Sequence, residues 1–168
     1  MSGKVRTYAI LTLLAISIFS QTAYAGCLTE RQVRADQIKF VQASLTAAAM
    51  RCRGNRRDQI LKVYNFFISR YRSDLMGSLQ DLSLYYKSET ANGYSDALDQ
   101  HIIDQTNYVL MAGGENPEFC GELIMKATNL TATPEIDSTD WLMVLPIRYE
   151  PLIEACHSQS LPQLVSNQ

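Results

Sequence analysis

Four cysteines constrain this chain more than any other feature: Cys27, Cys52, Cys120 and Cys156, spread over 168 residues. All of them follow a segment with the form of a secretory leader. Lys4 and Arg6 make a positive start, residues 8–19 an apolar run of 12, and Ala23-Tyr24-Ala25 the small-x-small pattern that signal peptidase cuts. The apolar run is shorter than the about 20 residues of a membrane helix. The expectation is a signal peptide at 1–25 and a chain exported to the periplasm or secreted, with no transmembrane segment in the mature part. An even cysteine count in such a chain implies two disulfides. A competing reading is a lipoprotein modified at Cys27, since Ala25-Gly26-Cys27 fits the end of that signal. Tyr24 stands where an aliphatic residue is required, and lipidation would leave an odd thiol.

Helical periodicity covers most of the rest. Thr29 and Gln32 have capping-box spacing and open a segment over 29–52, with Ile38, Val41, Leu45, Ala48, Ala49 and Cys52 as its stripe. Gly54-Asn55 breaks it, and Asn55 is placed to cap a second stripe of Ile60, Tyr64, Phe67, Ile68, Tyr71 and Leu75. The same phase continues through Leu79, Leu82 and Tyr86, so one helix of about 30 residues is allowed, with Gly77 as its candidate kink. Asn92-Gly93 and Gly113-Gly114 bracket a third stripe containing Tyr94, Leu98, His101, Ile102, Gln105 and Val109. Asn116-Pro117 opens the fourth, with Phe119, Cys120, Leu123, Ile124, Ala127 and Leu130. Periodicity does not assign the apolar run 141–145, and Pro151 is placed to open a last short helix holding Leu152, Ile153 and Cys156. The pattern predicts one all-α domain over 26–157. Its architecture is a four-helix up-down bundle with a short C-terminal helical segment, followed by a flexible tail at 158–168.

That architecture selects the disulfides. A continuous helix over 29–52 separates its ends by about 35 Å at 1.5 Å per residue. Disulfides require Cα atoms within about 7 Å. Cys27 therefore does not pair with Cys52. In an up-down bundle Cys52 lies at the end where the fourth helix begins, so Cys52–Cys120 is natural and Cys27–Cys156 fastens the C-terminal segment. A second helix that turns back at Gly77 would remove this argument.

Charge is unevenly distributed. Residues 26–75 carry ten cations and four acids, a net of +6, whereas 76–168 carry three cations and thirteen acids, a net of −10. The near-cancellation excludes a basic nucleic-acid binder. It implies attraction between the two halves, or a basic face used for a partner. Arg51, Arg53, Arg56 and Arg57 surround the first inter-helix turn. The first two suit the negative end of one helix, but the last two crowd the positive end of the next. That placement calls for an anion. Internal pairing with Glu115, Glu118 or Glu122 is the first expectation, and an external phosphate or acidic sugar the alternative.

No catalytic constellation is readable. The chain lacks G-x-S-x-G, S-x-x-K and H-E-x-x-H, as well as phosphate-loop and dinucleotide fingerprints. His101 sits in an apolar stripe with Asp104 three residues on, which reads as a partly buried structural histidine. Glu154 and His157 form a single E-x-x-H pair where a di-iron site needs two. No cofactor and no metal are expected. Tyr85, Tyr86 and Tyr94 read as a cover for the lower end of the bundle.

The run from Cys27 to Cys52, ending Met50-Arg51-Cys52-Arg53, resembles a group of small exported bacterial helical proteins with four cysteines. Tyr64-Asn65, Phe67, Arg72, Leu75, Cys120 and the C-terminal cysteine are similar too. Some members of that group carry an adenosylhomocysteine hydrolase label. That enzyme is a large NAD-dependent protein, and this chain has neither its length nor a dinucleotide fingerprint. The resemblance supplies no catalytic residues. The functional expectation is a non-enzymatic exported protein acting through an envelope protein partner, or alternatively a binder of an anionic ligand at the arginine turn 51–57.

Overall fold

Thr29 opens the first helix with a reciprocal cap. Its hydroxyl accepts the Gln32 backbone N–H, while Gln32 Oε1 accepts the Thr29 N–H at 2.9 Å. Such caps contribute about 1 kcal/mol. The computed structural model describes residues 26–90, 92–133 and 135–156. The expected signal peptide at 1–25, His157 and the expected tail at 158–168 lie outside the described residues. Those described form five helices: α1 (Glu30–Arg51), α2 (Gly54–Arg70), α3 (Arg72–Glu89), α4 (Tyr94–Glu115) and α5 (Phe119–Thr131). A 3-10 turn follows at Asp140–Met143. No strand occurs among the described residues, only one isolated bridge between Leu28 and Ala155.

The central element is α1. Half of its 22 residues are buried, on more than one side. Ala35, Ile38, Val41, Leu45 and Ala48 follow the stripe visible in the sequence, and Phe40, Ala43 and Ala47 add a second. This double burial follows from its neighbours, because α1 packs against α2, α3 and α4 at once. α4 also packs on α3, and α5 packs on α2.

The expected second helix is interrupted, but not at Gly77. The break falls at Tyr71, with φ −107° and ψ 27°, and helical bonding resumes at once as Leu75 N–H donates to Tyr71 O at 2.9 Å. A distant residue packs at this position. Trp141, fully buried in the 3-10 turn, packs on Phe67 and Tyr71, and its indole N–H donates to Tyr71 Oη at 3.2 Å. Tyr71 in turn donates to the Ile136 carbonyl at 3.0 Å. Gly77 lies inside α3 with open space where a Cβ would stand.

Four boundary expectations are corrected. α5 starts at Phe119 with Glu118 as its N-cap, so Asn116-Pro117 does not open it. α2 starts at Gly54 with Arg53 as its uncapped N-cap, so Asn55 does not cap it. Gly113 and Gly114 lie in the last turn of α4 rather than ending it; at Gly113 the Phe119 ring packs 3.4 Å from where a Cβ would be. Residues 150–156 form no helix. Instead the segment runs beside Leu28, whose N–H donates to the Glu154 carbonyl at 2.9 Å and whose carbonyl accepts the Cys156 N–H at 2.8 Å. Leu28 precedes α1 and its backbone groups need partners, which an extended chain supplies and a helix would not.

Two disulfides close the fold. Cys27–Cys156 spans 129 residues of sequence with Cα atoms 5.0 Å apart, and Cys52–Cys120 spans 68 with Cα atoms 6.0 Å apart. The unbroken α1 keeps Cys27 and Cys52 at opposite ends. The main core gathers around Phe40, Phe67, Phe119 and Trp141, and a smaller cluster of Leu28, Ala35, Leu82, Tyr85 and Leu98 fills the Cys27 end.

Candidate functional site

The arginine turn lies beside the Cys52–Cys120 disulfide. Arg51, Arg53 and Arg56 line a cleft of about 410 Å³ together with Asn116, Pro117 and Cys120; Arg57 is exposed outside it. Arg51 has a structural role: its Nη2 donates to the Gly114 carbonyl at 3.2 Å, a cation at the negative end of α4. The expected internal pairing is absent. The ion pairs among the described residues are Arg31–Asp81 and Arg34–Asp137, and neither these nor the Asp36–His101 contact reaches Arg53, Arg56 or Arg57. Glu115, Glu118 and Glu122 begin nearby but make no ion pair with this turn. Its first helical turn contains no acidic residue either. Three guanidinium groups thus share one open cleft, and none of them makes an ion pair with a carboxylate among the described residues.

Attraction between the basic and acidic halves acts elsewhere. Arg31 Nε donates to Asp81 Oδ2 at 2.7 Å, and Arg34 Nη2 grips both oxygens of Asp137 at 2.7 and 2.6 Å. Both pairs link the start of α1 to the acidic half. Asp137 also accepts the Thr139 backbone N–H at 2.8 Å. That bond, followed by Arg34, holds the Asp137 carboxyl down at about 2.

A second polar centre was not visible in the sequence. Asp36, on α1, is fully buried. Its Oδ1 lies 2.5 Å from His101 Nε2 and accepts Gln105 Nε2–H at 2.7 Å; its Oδ2 accepts the Tyr149 hydroxyl at 2.5 Å. A carboxylate only accepts, so His101 donates through Nε2–H and Nδ1 is the remaining ring nitrogen. Asp36 therefore ties α1 to α4 and to the C-terminal segment at one point. Burial, then the Asp36 charge, pushes the Tyr149 phenol up. Tyr86 stacks near His101 at 5.8 Å, and its phenol is raised by burial and then by Tyr85, Asp36 and Asp104.

His101 is thus the buried histidine that its stripe suggested, with a partner from another helix. Asp104, on the same helix, makes its hydrogen bond with Gln100 at 2.7 Å. Among the described residues no group of three His, Cys, Asp or Glu side chains stands close enough to hold a metal ion. Glu154 is described, but its E-x-x-H partner His157 lies outside the described residues. Tyr85 is buried and Tyr86 half-buried, while Tyr94 is exposed beneath Lys87, whose Nζ sits 4.6 Å from its ring centre. No helix among the described residues is long and apolar enough to cross a membrane. Compared with protein-family models, curated proteins and solved structures, the chain matches none.

Proposed function

We propose that this chain is an exported, periplasmic protein that acts by non-enzymatic contact in the cell envelope. Its contact face is the arginine cleft, where an acidic group of a partner protein docks. The observation carrying this reading is the cleft itself: Arg51, Arg53 and Arg56 line it, and no carboxylate of the described residues pairs with Arg53 or Arg56. Guanidinium groups held this way form bidentate bonds with carboxylates and phosphates. The non-enzymatic part rests on His101, whose contacts are Asp36 and the Tyr86 ring rather than a nucleophile. In this reading α2 and α3 count as one bent segment, and the helices alternate up and down as a four-segment bundle. Export after cleavage behind Ala25 accords with both disulfides. The bonding of Cys27 to Cys156 favours that cleavage over lipidation at Cys27.

The test compares affinity capture from envelope extract by the oxidised wild-type protein and by the double variant Arg53→Glu/Arg56→Glu. The proposal expects a discrete protein partner that the variant loses. A second reading, a free phosphate or acidic sugar in the same cleft, is favoured by the same unpaired charges. In that case inorganic phosphate or glucuronate gives a saturable melting shift beyond matched ionic strength, about 2.7 kcal/mol at a hundred times Kd. Capture unchanged by the double variant, with no such shift, would reject both.

A further inference from the structure

The second polar centre has an open side. A cavity of about 560 Å³ is lined by Tyr86, Ala97, Gln100, His101, Asp104, Leu152 and Ile153, where α3, α4 and the C-terminal segment meet; Gln100 donates to one oxygen of Asp104 and leaves the other open. Its size lies within the range of small-molecule sites, and its walls combine apolar surface with a few polar groups. The His101 side chain is 3% exposed, its Nε2 is taken by Asp36, and Nδ1 has no hydrogen-bond partner among the described residues. Nor is Nδ1 among the buried polar atoms sealed off without a partner, which are Ser44 Oγ and Gln105 Oε1. Asp104 lies one turn along α4, within reach of the same ligand group. It forms no ion pair among the described residues.

We propose that this cavity binds an amphiphilic amine, a small molecule with an apolar body and a primary ammonium head. The apolar body lies against Leu152, Ile153 and Ala97. The ammonium donates one N–H to the His101 Nδ1 lone pair, left by the Nε2–H···Asp36 bond, and another to the Asp104 carboxylate. The Tyr86 ring adds an aromatic face for the cation. A ligand carboxylate would instead meet the like charge of Asp104, and an alcohol would gain no charge-assisted bond from it.

The chain has two histidines, so the imidazole nitrogens of the oxidised protein are readily assigned by long-range proton–nitrogen NMR. Titration with n-hexylamine is compared with hexanoate, hexanol and Nα-acetyl-lysine amide at matched ionic strength and pH. The expected result is a saturable shift of His101 Nδ1 and the Tyr86 ring protons with hexylamine alone. Asp104→Asn should weaken it about tenfold, as for loss of a charge-assisted bond, and Ala97→Trp, which fills the cavity without touching Asp36, should abolish it. Absence of saturation, or hexanoate or hexanol binding as tightly, would overturn the proposal. Tighter binding of the lysine amide would assign the cavity to a partner's side chain and overturn the small-molecule reading. Should Ala97→Trp fail to fold, Asp104→Asn decides: an unchanged Kd overturns the proposal.

Discussion

Asp36 carries more of the tertiary structure than any other polar side chain described. Its two oxygens accept from His101, Gln105 and Tyr149, so one buried carboxylate joins α1, α4 and the chain beyond the 3-10 turn. Removing one partner of a buried charged network costs about 3–5 kcal/mol, because the remaining groups stay buried and unpaired. Asp36→Ala should lose that much in urea unfolding; a loss under about 1 kcal/mol would show that the network contributes little. Asp137 makes a different prediction. Its folded pKa of about 2, set by the Thr139 N–H and then Arg34, lies below the roughly 3.9 of an unfolded aspartate. Its contribution is therefore complete above about pH 4 and disappears as pH falls toward 2. The pair is about half exposed, so the effect is small and screened by salt. Melting curves of wild type and Asp137→Asn should differ at pH 5 and converge through that window.

At the scale of elements, Gly77 offers the clearest test. It sits in α3 with ordinary helical backbone and open space around a would-be Cβ, so Gly77→Ala should stabilise by about 0.5–1 kcal/mol in thermal unfolding. A destabilisation would mean that the glycine serves the helix as a hinge. Helix existence was legible because it depends on local periodicity, and Thr29 with Gln32 marks the α1 start because both halves of the cap lie within one turn. The Tyr71 break was not legible. Trp141, which packs and hydrogen-bonds at the break, arrives from 70 residues away. The C-terminal segment departs from its local pattern for a similar reason: Leu28 and Cys27 hold it extended, and no local signal at Pro151 records that. The arginine turn could be found by composition alone, yet the absence of carboxylate partners depends on how α5 meets α2. Asp36 gave no signal, because one acid on a helix usually marks the solvent face.

Across the whole molecule, the Cys27–Cys156 bond closes a loop that contains almost every described residue. Replacing both with Ser should cost about 2–5 kcal/mol. It should also raise hydrogen exchange at Leu28 and Cys156, whose backbones pair beside it; unchanged stability would show that the helices alone hold the ends together. The charge asymmetry has two outlets at this scale. Arg31 and Arg34 join the basic half to the acidic half, and in the proposed function the positive turn at 51–57 receives an acidic partner. Site-specific photocrosslinking in living cells tests that last claim most directly. A benzoylphenylalanine at position 53 or 56 is compared with one at Met76, exposed on α3 away from the cleft. The account predicts one discrete adduct with an envelope protein from each cleft position and none from position 76. No adduct from the cleft, or the same adduct from all three positions, would contradict it.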